Sequence, residues 1–299
     1  MKKLFLPFVN PVNLIRAYFY HKKSKPFVRA ANDLELKLYS KILRNDMLHY
    51  GYFDKTDIQP EDISLHDIEN AQMRYAEVIV EQITDKNQPI IDVGCGMGGL
   101  SKYLTKNDFP VQALTPDINQ KNHINKLLPQ LNVHHCKFED YAGDTKFGTI
   151  INSESLQYIQ LDTAFAKADK MIQNNGRWII TDYFRLVDNT RSKSGHKLVD
   201  FINKIDEHGW RIDYQYDMTS NILPTLQYIY MYVDKFLRPL GGYAEEKLKY
   251  KKAWLYYLTG NLREALAIKA RREIAAIDPE LFLKEKKYLL FVLKRKMNI

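Results

Sequence analysis

The sequence predicts an α/β protein built on a doubly wound, mostly parallel, Rossmann-like sheet of about seven strands. A short apolar run, Ile90 to Val93, leads into a cluster of glycines and then into a helical pattern. Strand-like apolar segments alternate with helical segments as far as residue 216, which is typical of a parallel sheet. We expect a helical N-terminal cap in residues 1–64, an α/β core in 65–218, a helical lid insertion in 219–285 and the last core strand in 286–299.

Each element is predicted from its own pattern. Ala71, Tyr75 and Ile79 place an apolar stripe on a helix. Pro224 is expected to begin the first helix of the insertion, and the segment 239–242 to end it. Strands are expected over 90–93, 110–115, 131–136, 147–152, 176–183, 210–216 and 288–293, and helices over 27–47, 65–84, 197–207, 244–258 and 262–277.

The glycine turn after the first strand is the expected ligand-binding corner of the sheet, because glycine lets a ligand approach the main chain. The glycines leave two cofactor classes open. Gly94, Gly96 and Gly99 fit a dinucleotide fingerprint, and Gly94, Gly96 and Gly98 fit a methyltransferase pattern. Asp92 favours the second, since its carboxylate would repel a pyrophosphate but suits the ammonium group of S-adenosylmethionine. A turn that binds nothing is the remaining alternative.

Composition limits the classes of partner that the protein is expected to have. The 299 residues are 45% hydrophobic and 27% charged, which indicates a globular chain. The formal net charge of +8 would suit nucleic acid, an anionic membrane or an acidic substrate, and general solubility is the alternative explanation. Nucleic acid is disfavoured, because the sequence lacks a basic stripe interleaved with aromatic residues on a strand. Two cysteines, Cys95 and Cys136, give no disulfide framework, so a cytoplasmic location is expected.

The N-terminal segment leaves a membrane question open. No apolar run in the sequence reaches the roughly 18 residues that a membrane-spanning helix needs. A peripheral membrane contact would use the apolar and basic side chains of this segment, and the alternative is packing on the body of the protein. The side chains concerned are Leu4, Phe5, Phe8, Lys22, Lys23 and Lys25.

Further segments follow the glycine turn in a fixed order, each at the end of a predicted strand. They are Thr115-Pro116 with Gln120 downstream, then Phe138-Glu139, then Asn152. With the glycine turn, this order resembles the class I S-adenosylmethionine-dependent methyltransferases, and most of all the branch that contains the cyclopropane-fatty-acid synthases and small-molecule methyltransferases. The resemblance covers roughly residues 46–185.

The resemblance implies S-adenosylmethionine as cofactor and a set of residues that hold it. The aromatic segment that ends in Tyr52-Phe53 would lie over the cofactor, with His49 and Tyr50 closest to it. Thr115 stands where an acidic residue for the ribose is commoner, and Asp117 could either bind the ribose or cap the next helix. The implied cofactor residues are Tyr50, Asp92, Gly94, Gly96, Gly98, Thr115, Pro116, Gln120, Phe138, Glu139 and Asn152.

The predicted reaction is in-line transfer of a methyl group to a small apolar, aromatic or lipid-like acceptor. A proton acceptor is needed only if the acceptor carries a proton at neutral pH. The candidates are His49, Glu154, Tyr158 and Asp182, each with packing or capping as its alternative role. No metal is expected, because the adjacent His134 and His135 point to opposite faces of a strand and no third ligand is apparent.

Two other functions stay open at the level of sequence. In cyclopropane synthases a Glu-His pair is linked to a bicarbonate base, and the aligned positions here are Gln157 and Tyr158, which argues against cyclopropanation. The same fold could serve as a non-catalytic RNA-binding module. The insertion concentrates tyrosines, which favours either a lid over an apolar substrate or a packed core. The sequence does not fix whether oxygen, nitrogen or carbon is methylated.

Overall fold

A computed structural model of the chain describes residues 10–24, 46–188 and 194–296. It contains a seven-stranded sheet in the order β3-β2-β1-β4-β5-β7-β6. The strands are β1 Ile90–Val93, β2 Val111–Thr115, β3 Asn132–His135, β4 Phe147–Ser153, β5 Ile172–Arg185, β6 Trp210–Asp217 and β7 Lys286–Arg295.

Helices flank the strands in chain order. They are α1 Pro11–Ser24, α2 Leu65–Val80, α3 Gly99–Lys106, α4 Ile118–Leu127, α5 Leu161–Met171, α6 Leu198–Glu207, α7 Thr219–Tyr232, α8 Arg238–Lys251, α9 Ala253–Leu258, α10 Gly260–Ala276 and α11 Pro279–Glu285, with short 3₁₀ turns at Pro60–Asp62 and Leu156–Tyr158. None of the helices within the described ranges is both long and apolar enough to cross a membrane.

The strand directions confirm the predicted α/β fold. β3, β2, β1, β4 and β5 run parallel, and β7 lies antiparallel between β5 and β6. The strand order reverses between β1 and β4, where the connections that follow the two strands leave the sheet in opposite directions. A ligand crevice forms at such a point, beyond the carboxyl ends of the two strands.

A hydrophobic core covers each face of the sheet. One core packs Phe165 and Phe201 of α5 and α6 against Trp178 of β5. The other packs Tyr75 and Ile79 of α2 against Tyr288 of β7, which buries the predicted apolar stripe of α2. The sheet is therefore held from both sides, and its carboxyl edge is a rigid platform.

The helical insertion is confirmed, but two of its boundaries were wrong. α7 begins at Thr219 and contains Pro224, because the burial of Ile222 and Leu226 offsets the one backbone hydrogen bond that proline removes. The segment Pro239-Leu-Gly-Gly242 does not end a helix. Pro239 lies in the first turn of α8, where a proline needs no amide donor, and a π-helical turn, Val233–Leu237, joins α7 to α8.

Three smaller predictions also changed. The single helix expected over 244–258 is divided at Lys252 between α8 and α9. β5 begins at Ile172, so it includes the expected turn at 174–176. The helix over 65–84 ends at Val80. The expected helix over 27–47 lies almost wholly outside the described residues, as do Leu4, Phe5, Phe8 and Lys25.

Candidate active site

The glycine turn joins β1 to α3 and requires glycine for two reasons. Gly94 has a φ of +72°, in the region that side chains disfavour. A Cβ placed on Gly94 would also lie 2.5 Å from the Cβ of Ser155. The turn is thus packed directly against the segment that follows β4, which brings two strand ends together around one space.

Replacing Gly94 by alanine is expected to destabilise the protein by roughly 2–4 kcal/mol, because a left-handed backbone penalty of about 1–2 kcal/mol adds to a steric overlap of similar cost. Gly209→Ala is the matched control. Gly209 has a φ of +71°, but nothing lies within 4 Å of its added Cβ, so only the backbone penalty applies. Denaturant unfolding of both variants measures the difference. Equal losses of stability would contradict the close approach of Ser155.

A cavity of about 400 Å³ opens beside this turn. Of the residues implied to bind the cofactor, eight line it, and Tyr50, Gly98 and Asn152 do not. Of the candidate proton acceptors, His49, Glu154 and Tyr158 line it, and Asp182 does not. The eight cofactor residues are Asp92, Gly94, Gly96, Thr115, Pro116, Gln120, Phe138 and Glu139.

Asp92 is a buried carboxylate on the floor of the cavity. Its side chain is 1% exposed, and Ser101 Oγ donates a hydrogen bond of 2.6 Å to its Oδ2. Burial raises the pKa of Asp92 from 3.8 to about 6, so the carboxylate is still mostly charged at neutral pH. A buried charge without a cation is costly, and no residue in the described ranges forms an ion pair with Asp92. The ammonium group of a bound ligand could supply that cation.

The polar groups at the end of β2 are arranged by one another. Thr115 is fully buried, and its Oγ1 donates to Oε1 of Gln120 over 2.5 Å. Asp117 accepts the amide hydrogen of Asn119 at 2.6 Å and so caps α4. Of the two roles that the sequence left open for Asp117, capping is the one its hydrogen bonds support. Phe138 is buried and lines the cavity, as stacking on a base would require.

Glu154 follows β4 in a strained backbone conformation, with a φ of +51°. Its Oε1 accepts a hydrogen bond of 3.0 Å from the Tyr50 amide and one of 2.7 Å from the Tyr288 hydroxyl. Burial raises the pKa of Glu154 from 4.5 to about 7, although the Tyr288 hydrogen bond opposes the rise. A carboxyl group with this pKa exchanges a proton readily near neutral pH.

The hydroxyl of Tyr288 belongs to a buried chain of hydroxyl groups. It lies 2.7 Å from the hydroxyl of Tyr75, which donates to Thr181 Oγ1 over 2.6 Å. Each phenol can rotate its single hydroxyl hydrogen toward either neighbour. The row of hydroxyl groups can therefore donate a hydrogen bond to the charged form of Glu154 or accept one from its neutral form. No local sequence pattern marks Tyr75 or Tyr288 as a neighbour of Glu154, since only the folded sheet brings α2 and β7 beside β4.

The other candidate proton acceptors have different surroundings. Burial lowers the pKa of His49 from 6.5 to about 4, so its ring is neutral, and Nδ1 donates to the Tyr50 carbonyl over 2.8 Å. Tyr158 is 82% exposed. Asp182 is buried, and its carboxylate accepts the amide hydrogens of Gln157 at 3.0 Å and Tyr183 at 2.9 Å. Burial raises the pKa of Asp182 to about 8, and its contacts fix the loop after β4.

Three of the implied cofactor residues lie outside the cavity lining and next to residues that form it. They are Asn152, Tyr50 and Gly98. The Asn152 amide donates to Ser155 Oγ over 2.9 Å and accepts from the indole of Trp178 at 2.8 Å. The Tyr50 ring packs edge-on against Tyr288, with centroids 5.9 Å apart. Gly98 is the residue before α3, with a φ of +88°.

Residues 46–53 form a strap that borders the cavity, and three elements hold it. Gln72 of α2 donates to the carbonyls of Met47 and His49, over 3.0 and 2.9 Å. Thr225 of α7 accepts the Gly51 amide at 3.1 Å. Glu154 holds the Tyr50 amide, as described above. Within the described ranges, the insertion residues do not line the cavity, so α7 acts here by holding the strap.

Sequence reasoning missed several lining residues. Asp46 precedes the aromatic segment that the sequence marked, and Met47 and Leu48 lie within that segment but were not named as site residues. The resemblance identifies Gln157 only as a position where a residue of the cyclopropane-synthase pair is replaced, although it lines the cavity. Lys137, Ser155 and Ile159 adjoin residues that were identified, so their place could have been found from the neighbouring strand ends. Across the described parts of the chain, no cluster of three or more His, Cys, Asp or Glu side chains suits a metal ion.

The comparison with known proteins decides the family. The model of the mycolic acid cyclopropane synthetase family matches residues 21–221. The chain belongs to this family. As a family member it is an S-adenosylmethionine-dependent methyltransferase, and S-adenosylmethionine is its cofactor. The predicted membership of the class I methyltransferases is thereby confirmed.

Relatives of this family member are distant in sequence and similar in fold. An uncharacterized methyltransferase of Alkaliphilus oremlandii is 23% identical over 190 residues, covering 60% of this chain and 80% of the relative. Geranyl diphosphate C-methyltransferase from Streptomyces coelicolor A3(2) superposes with a TM-score of 0.60 and 14% identity, over 88% of this chain and 91% of that one. Coclaurine N-methyltransferase superposes with a TM-score of 0.59 and 14% identity, over 84% and 76%.

Proposed function

We propose that this methyltransferase acts on a small apolar, aromatic or lipid-like acceptor, and that Glu154 takes the acceptor's proton. The observation that carries the proposal is the pair of carboxylates in one cavity. Asp92 is suited to hold the cofactor, and Glu154 has a pKa near 7. They lie at the ends of adjacent strands, since β1 pairs with β4 in parallel.

The residues around the cavity would bind and orient the two reactants. Asp92 would hold the amino group of S-adenosylmethionine, Thr115 and Gln120 its ribose, and Phe138 its adenine ring. The bound cofactor supplies a methyl group that its positive sulfur already activates. Met47 and Leu48 of the strap would exclude water from the cavity. Holding the two reactants in line can lower the barrier to methyl transfer by roughly 7–11 kcal/mol at best.

Glu154 is the strongest candidate for proton transfer by its position and its pKa. Its carboxylate lines the cavity, whereas Asp182 is committed to two backbone amides outside it. His49 lines the cavity too, but with a pKa of about 4 its ring is a much weaker base. The expected rate therefore rises with pH through about 7, as the charged fraction of Glu154 increases.

The experiment uses S-adenosylmethionine with a deuterated methyl group, incubated with the protein and a metabolite and lipid extract. Mass spectrometry then identifies labelled products. A product that keeps the whole deuterated methyl group supports methyl transfer. A lipid product that has lost one deuterium indicates the cyclopropane type of reaction instead, and the absence of any labelled product contradicts the proposal.

Tyr288→Phe is expected to move the pH dependence of the reaction to higher pH. The variant loses the hydroxyl that donates to Glu154 Oε1, and this hydrogen bond holds the pKa of Glu154 down. The midpoint of the rate-against-pH curve should rise by about one to two pH units, because a hydrogen bond to a charged group contributes about 1.5–3 kcal/mol and about 1.4 kcal/mol corresponds to one unit. Tyr75→Phe, one hydroxyl further along, should move it less. An unchanged midpoint in both variants would contradict the role of Glu154.

A further inference from the structure

The cavity is lined by an excess of negative charge. Of the described residues that line it, one carries an amine, Lys137, and four carry carboxylates, Asp46, Asp92, Glu139 and Glu154. A cavity of this charge favours cationic ligands and disfavours anionic ones. Two of the four carboxylates already have partners in the protein. Glu139 Oε1 lies 4.0 Å from the Lys137 ammonium, and Asp46 lies 3.1 Å from the His123 ring and 3.8 Å from the Lys102 ammonium.

Asp92 and Glu154 are the two carboxylates left over. S-adenosylmethionine carries one ammonium group, which suits Asp92, and a sulfonium charge that is lost once the methyl group has been transferred. Within the described part of the chain, no lysine, arginine or histidine nitrogen lies within 4.0 Å of the Glu154 carboxylate, and its two hydrogen bonds come from neutral donors. Glu154 therefore lines the cavity as a buried acid without a cation of its own.

The groups that surround Glu154 suit a cation. The titratable groups among them come from the strap, α2, β5, β7 and the turn after β4, and they are aromatic or acidic. A cation is attracted both to a carboxylate and to aromatic rings. Lys286 on β7 has its ammonium over the ring of Tyr183 at 4.3 Å and makes no ion pair with Glu154. The surrounding titratable groups are His49, Tyr75, Tyr158, Asp182, Tyr183 and Tyr288.

We propose that the methyl acceptor is a primary or secondary amine, that it enters as an ammonium ion, and that Glu154 both binds it and takes its proton. This inference rests on the proposed function and names its substrate class. The ammonium N–H proton passes to the Glu154 carboxylate, which frees the nitrogen lone pair. The amine then forms an N–C bond to the methyl carbon, while the C–S bond breaks and its electron pair stays on sulfur. The methylated ammonium product leaves, and Glu154 returns its proton to water.

Burial brings the pKa of the Glu154 carboxyl group and the pKa of the acceptor's ammonium group closer together. A buried carboxyl group gains basicity, and a buried ammonium group loses a proton more easily, because both charged forms are poorly solvated. Proton transfer from an ammonium ion to Glu154 is therefore closer to balance in this cavity than in water. An alcohol offers no positive charge to replace the missing cation, so it should bind less well at this position.

The test measures cation preference directly, by calorimetry of the full chain saturated with S-adenosylhomocysteine. The probes are phenyltrimethylammonium and tert-butylbenzene, which have the same shape and differ in charge. At pH 8, where Glu154 is charged, we expect the cation to bind at least tenfold more tightly. The preference should fall as the pH drops below about 7 and should be lost in Glu154→Gln.

Glu207→Gln on α6 is the control, because it makes the same chemical change outside the cavity lining and should keep the preference. Unchanged binding of S-adenosylhomocysteine to Glu154→Gln would show that the variant is folded. Equal binding of the two probes, binding of neither, or a preference that survives in Glu154→Gln overturns the inference. In the labelling experiment, a methyl group on oxygen or carbon would overturn the amine assignment while leaving methyl transfer itself intact.

Discussion

Replacing Asp92 by asparagine is expected to weaken binding of S-adenosylmethionine by roughly thirtyfold to several thousandfold. The wild-type carboxylate is buried and, apart from the hydrogen bond of Ser101, has room for one cationic partner. Removing one member of a buried, hydrogen-bonded charge pair costs about 2–5 kcal/mol, and about 1.4 kcal/mol corresponds to a tenfold change in affinity. Isothermal titration calorimetry of the variant measures the effect.

Asp117→Asn is the matched control for this change. Asp117 caps α4 and does not line the cavity, and asparagine caps a helix as well as aspartate does. Cofactor affinity should therefore stay within a few fold. A large loss in Asp117→Asn, or none in Asp92→Asn, would mean that the cofactor's polar groups are held elsewhere at the glycine turn.

The pH dependence of cofactor affinity follows from the same carboxylate. Below pH 6 an increasing fraction of Asp92 is protonated in the empty protein, and the ammonium group of the cofactor must displace that proton. Affinity should therefore fall by up to tenfold for each pH unit below about 6. In Asp92→Asn this slope should be absent.

The empty protein should respond to Asp92→Asn in the opposite direction. Because the pKa of Asp92 is about 6 in the fold and 3.8 ordinarily, the folded state binds the proton more tightly. This carboxylate thus destabilises the empty protein progressively from about pH 4 to 6, by an upper limit of roughly 3 kcal/mol at higher pH. Denaturant unfolding at pH 7.5 should show the asparagine variant to be the more stable protein, although it binds the cofactor less well.

Glu154→Gln is expected to lower kcat by about 10²- to 10⁴-fold, the usual contribution of a general base. Glutamine has nearly the same shape and can still accept hydrogen bonds from the Tyr50 amide and the Tyr288 hydroxyl, so the strap should stay in place. Binding of S-adenosylhomocysteine should therefore change little. The rise of the rate through pH 7 should disappear, since the group that titrates there is gone.

Tyr158→Phe provides the comparison for Glu154→Gln. Tyr158 also lines the cavity, but its side chain is mostly exposed, and the change removes a single hydroxyl. Its kcat should remain within a few fold of wild type. If Tyr158→Phe lost activity and Glu154→Gln kept it, the assignment of the proton acceptor would have to be exchanged.

The elements that the sequence predicted well are those with a strong local signal. The apolar run before Gly94 and the alternation at Trp210 and Ile212 correspond to β1 and β6. Pro224 and Pro239 misled the prediction, because proline restricts the chain locally while the packing of α7 and the first turn of α8 decide where those helices lie. Local preference is a weak guide wherever tertiary burial is large.

The residues of the candidate site also fall into two groups, those with a local sequence signal and those without one. Asp92 and Thr115 adjoin strand ends in an order that resembles the class I methyltransferases, so the sequence could place both among the residues that line the cavity. Tyr288 lies 134 residues from Glu154 in sequence but donates to it across 2.7 Å, and no local pattern predicts such a pair. The raised pKa of Glu154 likewise arises from burial, which only the assembled fold determines.

We propose above all that Asp92 and Glu154 divide one cavity between a cofactor and an acceptor. A crystal structure of the complex with S-adenosylhomocysteine tests this division most directly. We expect the amino group of the ligand to lie within hydrogen-bonding distance of the Asp92 carboxylate, and the sulfur to face open space beside Glu154. A ligand whose amino group points away from Asp92, or whose sulfur is walled off from Glu154 by protein side chains, would contradict it.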